Sequence, residues 1–83
     1  MTFTRRLPED VVAIEVVQYN QPNWWYVRAV ERGGKVWHWE PFLSRWAADK
    51  AAEVLWARLR YEGQLAEGAE KRRPVAYDTL ERR

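Results

Sequence analysis

The chain has 83 residues, 47% hydrophobic and 31% charged, the balance of one small folded domain rather than a disordered segment. Fourteen Lys and Arg against twelve Asp and Glu leave a formal net charge of +2, well short of the basic excess usual in nucleic-acid binders. No apolar run is long enough for a membrane helix, the lack of cysteine excludes disulfides and thiolate chemistry, and one histidine is too few for a conventional zinc centre.

The basic residues are unevenly placed, with Arg28 the only one inside residues 11–29. Clusters stand at Arg5-Arg6, Lys71-Arg72-Arg73 and Arg82-Arg83, where they read as solvated tails, the functional alternative being phosphate-contacting arms. Arg5-Arg6 is followed by Leu7-Pro8-Glu9-Asp10 rather than an apolar stretch, which argues against a signal peptide. The expectation is a cytoplasmic protein (host-cell cytoplasm if phage-encoded), one domain over residues 1–83, with no cofactor and no metal.

Val11-Val12-Ala13-Ile14-Glu15-Val16-Val17 is almost wholly β-branched and reads as a well-buried strand over residues 11–18. Asn20-Gln21-Pro22-Asn23 supplies turn residues, and a second strand follows over 24–31. Gly33-Gly34 marks a hairpin, because glycine reaches the positive φ of tight turns without steric penalty, and the chain returns as a third strand over 35–40. Connections this short make the three an antiparallel meander.

Pro41-Phe42-Leu43 leaves the sheet, Ser44 is a good N-cap, and residues 45–61 are strong helix formers ended by Gly63. Helical spacing puts Ala47, Ala48, Ala51, Ala52, Val54, Leu55 and Leu59 on one broad face, with Arg45, Asp49, Lys50, Glu53 and Arg60 opposite. Residues 62–73 read as a polar segment, Pro74-Val75-Ala76-Tyr77 as a short edge strand, and 78–83 as tail. The fold class expected is α+β, in the order β-β-β-α.

One helix covers one face of such a sheet. Alternation sets Trp24, Tyr26 and Arg28 on one face and Trp25, Val27 and Ala29 on the other. A two-residue turn at Gly33-Gly34 would place Trp37 and Trp39 beside Tyr26 and Arg28. A three-residue turn with a bulge places them beside Trp25, Val27 and Ala29, leaving Trp24, Tyr26, Arg28, His38 and Glu40 outward; this register separates apolar from polar more cleanly and is preferred. Either way aromatic surface remains uncovered, unless the C-terminal segment folds over it or the tryptophans simply enlarge a small core. Trp, Tyr and Arg are the types enriched at interface hot spots.

Catalytic constellations are poor. Asp49 and Glu53 share a helix face but are flanked by Arg45 and Lys50, so salt bridging on a solvated face explains them. His38 beside Glu40 would need a nucleophile, and the only serine, Ser44, is spent as a cap. Gly33-Gly34 precedes a strand rather than a helix, so it is no phosphate loop. The chain is not expected to be an enzyme.

The stretch Trp24-Trp25-Tyr26-Val27-Arg28, Gly33-Gly34-Lys35-Val36-Trp37, Pro41-Phe42-Leu43-Ser44 and Ala51-Ala52-Glu53 resembles the three-stranded sheet plus helix of the arm-binding domains of tyrosine-recombinase integrases, and of plant ethylene-response-type DNA-binding domains. That resemblance implies a sheet entering the major groove, with Arg28, Arg32 and Lys35 as nucleic-acid contacts. The chain departs from those families in its few outward cations and in Glu31 and Glu40 among them. In size and architecture it is also similar to small phage- or plasmid-encoded anti-CRISPR and other anti-defence proteins, a likeness that carries no motif. It implies a protein-binding inhibitor, the preferred expectation, acting through an aromatic and arginine sheet face. Its candidate anchors are Trp24, Tyr26 and Arg28, with Trp37, His38 and Trp39 as register-dependent additions. Homodimerisation through that face would serve equally.

Overall fold

The computed structural model describes residues 6–18, 24–72 and 75–76. The turn expected at residues 20–23, Arg5, Arg73, Pro74, Tyr77 and the tail at 78–83 lie outside the described residues.

Among the described residues, five strands and one helix follow in the order β1 (Val11–Gln18), β2 (Trp25–Glu31), β3 (Val36–Phe42), α1 (Arg45–Tyr61), β4 (Leu65–Lys71) and β5 (Val75–Ala76). The sheet runs β3-β2-β1-β4, with β5 also paired to β1. The first three strands form the antiparallel meander, whereas β4 and β5 lie parallel to β1. Parallel pairing needs a long crossover, which the helix between β3 and β4 supplies. β1 is therefore interior, flanked by β2 on one side and by β4 and β5 on the other, and six of its eight residues are buried.

β2 and β3 each begin one residue later than the sequence reading places them, and two larger differences stand out. β3 continues through Pro41 to Phe42, with a cis Glu40–Pro41 peptide beside an irregularity opposite Trp25 and Val27. Residues 65–71, read as part of a polar segment, form β4. From Leu65 to Glu70 is five steps along β4 against two along β1, and Gly68 at φ 81° sits inside that excess. An edge strand interrupted in this way has no polar–apolar alternation to betray it.

The hairpin takes the three-residue form. Glu31 N–H donates to the Lys35 carbonyl at 2.8 Å and Gly34 N–H to the Glu31 carbonyl at 2.8 Å, with Gly34 at φ 100°. Val27 then pairs with Trp39 and Ala29 with Trp37, the preferred register. Along β1 a bulge between Val11 and Ala13 turns these two residues to opposite faces, so Val11 joins Ile14 and Val16 beneath the helix.

Ser44 caps α1 by accepting from Ala47 N–H at 3.1 Å. At the other end Gly63 N–H reaches the Arg60 carbonyl and Gln64 N–H the Leu59 carbonyl, a Schellman closure. Gly63 stands at φ 76°, a conformation costly for any residue with a Cβ. Gly63→Ala is therefore expected to destabilise the protein by about 1 kcal/mol, read as a lower urea midpoint at unchanged slope.

Ala48, Ala51, Ala52, Leu55 and Leu59 are the buried residues of α1. They pack on Val11, Ile14, Val16, Val27 and Ala29, with Trp25, Trp37 and Trp39 partly buried at the margin. The three alanines bring the helix backbone close to the sheet, so only the two leucines project deeply into the core. Val54, expected on this face, is instead 52% exposed, because it sits about a quarter turn from Leu55.

Candidate functional site

The sheet face turned away from α1 carries Ala13, Glu15 and Val17 from β1, Tyr26 and Arg28 from β2, and His38 from β3. Glu15, the one charge in β1, is buried there and lies directly opposite Arg28. Its Oε1 accepts from Arg28 Nε at 2.6 Å and its Oε2 from Arg72 Nη1 at 2.5 Å. Burial alone would push the Glu15 carboxyl up. The hydrogen bonds and charges of Arg72 and Arg28 outweigh that and hold it below the ordinary glutamate value.

This arrangement redefines the expected interface. Tyr26 lies on the face that alternation assigns it but is only 5% exposed, hemmed by Val17 opposite and by the His38 ring at 5.1 Å between centroids. Interior strands have neighbours on both sides, and β2 is one. Arg28 is committed to Glu15 with its side chain 32% exposed. Trp24 is 43% exposed and precedes β2. Trp37 and Trp39 stack on the helix side of the sheet, their centroids 6.4 Å apart. Trp37 is further held by donating to Glu31 Oε2 at 2.7 Å, and the Glu9 N–H on the same oxygen, followed by this indole, keeps the Glu31 carboxyl below its usual range. The six anchors are therefore divided between the two faces, and of them only His38 and Trp24 are exposed.

The three cations assigned to DNA are each engaged. Arg28 serves Glu15, Arg32 Nε donates to Asp10 Oδ2 at 2.9 Å, and the Lys35 ammonium lies 4.7 Å from the Trp37 ring centroid. A duplex would have to compete with these partners for every contact.

Exposed apolar surface concentrates where the sequence reading did not look. Trp46 is 70% exposed, Val54 52% and Tyr61 86%, and Ala57 between them is exposed as well. With Lys50 they recur at steps of four, four, three and four residues, one continuous stripe on α1 opposite its buried alanines and leucines. Leu43, 66% exposed, precedes the N-cap. The Lys50 ammonium lies 5.7 Å from the Trp46 ring centroid, and Arg45–Asp49 and Arg58–Glu62 pairs flank the stripe. The signal was present in the helical spacing: Trp46 and Tyr61 fall outside the face drawn around Leu55.

A cleft of about 270 Å³ lies between the end of β4 and the first turns of α1, bordered by Arg45, Asp49, Glu53, Lys71 and Arg72. Asp49 pairs with Arg45 across it, Arg72 is drawn to Glu15 outside its lining, and the Lys71 ammonium lies 5.9 Å from the Trp56 ring centroid. Among the described residues no group of three His, Asp or Glu side chains is placed to hold a metal ion, and no helix is long and apolar enough to cross a membrane.

No known protein family matches the chain, no curated protein sequence is similar to it, and no solved structure matches it.

Proposed function

We propose that the chain is a non-enzymatic protein-binding module that docks its partner on the outer face of α1, with Trp46, Val54 and Tyr61 as anchors. The observation that carries this reading is their alignment, three large apolar side chains more than half exposed on one helical stripe. Single exposed hydrophobics are ordinary on protein surfaces, whereas large apolar side chains aligned on one helical stripe, with ion pairs at its edges and Lys50 folded over Trp46 within it, follow the pattern of an interface core with a polar rim. Trp and Tyr bury large areas for two χ angles each, so they make efficient anchors on a small rigid scaffold. An inhibitor of a larger protein, of the anti-defence kind, is the specific form that this size and architecture favour. It requires neither cofactor nor metal.

The test uses the full chain as bait, with wild type and Trp46→Ala/Tyr61→Ala compared against each captured protein after purification. The double substitution should weaken a true partner by about 100-fold or more while moving stability by less than about 0.5 kcal/mol, since both rings are outside the core. A partner that binds both forms equally sinks the assignment of the surface. Tryptophan quenching by mixed-sequence duplex DNA with a steep salt slope would replace the protein-binding reading by nucleic-acid binding.

A further inference from the structure

β3 is the terminal strand of the sheet, with no strand beyond it among the described residues. The hairpin determines which of its backbone groups are free. Because Glu31 and Lys35 form a hydrogen-bonded pair, Ala29–Trp37 and Val27–Trp39 are also hydrogen-bonded pairs of the antiparallel ladder. Val36 and His38 consequently aim their N–H and C=O groups away from β2, into the open edge, as Glu40 does its N–H, its carbonyl being part of the cis peptide at the irregularity. Their side chains are exposed, Val36 at 41%, and share the face away from α1.

We infer that this edge pairs with a second copy of the same chain, antiparallel and centred on His38, to continue the sheet across a twofold axis. Only that register matches all three outward-facing residues with all three of the other copy: Val36 with Glu40, His38 with His38, and Glu40 with Val36. The alternate positions then set Trp37 of each copy opposite Trp39 of the other. These are non-hydrogen-bonded pairs, the closely spaced kind in which cross-strand aromatic contacts are strongest, and they would align four indoles on the helix side of the joined sheet. Antiparallel pairing also runs Lys35, just before β3, past Glu40 of the other copy, an attraction between the strand ends although the two side chains leave opposite faces. An arbitrary extended peptide would satisfy the backbone groups but supply neither the indoles nor the charges. A two-strand seam buries less than the roughly 800 Å² per partner of a stable complex, so the dimer is weak, with a dissociation constant in the micromolar range or above.

Sedimentation of the full chain from about 5 to about 500 µM tests this directly. The weight-average mass should rise from 10.0 kDa toward twice that value. Val36→Glu sets a carboxylate opposite Glu40 in both halves of the seam and should raise the concentration needed by about tenfold, whereas Val36→Lys should lower it several-fold. His38→Pro removes the central outward N–H, which an edge strand tolerates, and should leave only monomer. The pair at position 36 stands by itself should the proline variant fail to fold. A mass of 10.0 kDa at every concentration overturns the inference. So does self-association that responds alike to both changes at Val36, or that vanishes with Trp46→Ala/Tyr61→Ala while ignoring position 36.

Discussion

Leu55→Ala is expected to lower the unfolding free energy by about 3–5 kcal/mol, a large part of the whole for a chain of this length. Leu55 is 0% exposed and sits on α1 above the strands, with Ile14, Val16, Val27 and Ala29 in the same cluster. Its buried helical neighbours on that face are Ala48, Ala51, Ala52 and Leu59. The three alanines carry no side chain able to swing into the space left behind, Leu59 is itself fully buried in the same cluster, and the helix already rests close to the sheet. The cavity would therefore persist, adding its own penalty to the lost transfer energy. Val54→Ala, one residue away but 52% exposed, should change stability by no more than about 0.5 kcal/mol. Urea unfolding of both variants decides the matter: equal midpoints would mean that α1 does not pack in this orientation.

The second large effect belongs to Glu15. Glu15→Ala is expected to cost about 2–3 kcal/mol near neutral pH, since it removes a buried carboxylate that receives hydrogen bonds from two arginines. The figure is held below that of a fully buried ion pair because the Arg28 and Arg72 side chains are 32% and 45% exposed and recover water. Arg72 follows β4 directly and its N–H donates to the Ile14 carbonyl, so the same ion pair fastens the parallel strand to the sheet. Because the folded carboxyl is held below its ordinary value of 4.5, folding favours the charged form. The resulting stability is fully present above that ordinary value and is lost as pH falls through it and on through the depressed folded value. Thermal melts from neutral to acid pH should show wild type losing stability more steeply than Glu15→Gln. The comparison isolates Glu15 from Glu31, whose carboxyl is also held low but is unchanged between the two proteins. Parallel curves for the two proteins would rule out the arginine-clamped carboxylate.

The strands β1 to β3 and the helix were legible in the sequence to within a residue or two, because each is specified locally. β-branched runs, the glycines of the hairpin, Ser44 at the cap and Gly63 at the stop act over a few residues, and their backbone preferences need no distant partner. Even the hairpin register followed from segregating apolar from polar residues on the two faces. The α+β class was determined at the same level.

What needed the tertiary structure were the consequences of adjacency between distant segments. β4 is a strand because β1 offers it an open edge after a helical crossover, not because residues 65–71 alternate. Glu15 looked like an isolated charge in a buried strand until Arg72, 57 residues away, closed over it. Tyr26 was assigned to the correct face but not to the interior, since alternation gives direction and only neighbouring strands give burial. Conversely, Trp46, Val54 and Tyr61 emerged as the exposed stripe only once three alanines and two leucines had taken the core side of α1. Sequence periodicity determines which residues share a face; which face meets water depends on what the rest of the chain packs against it.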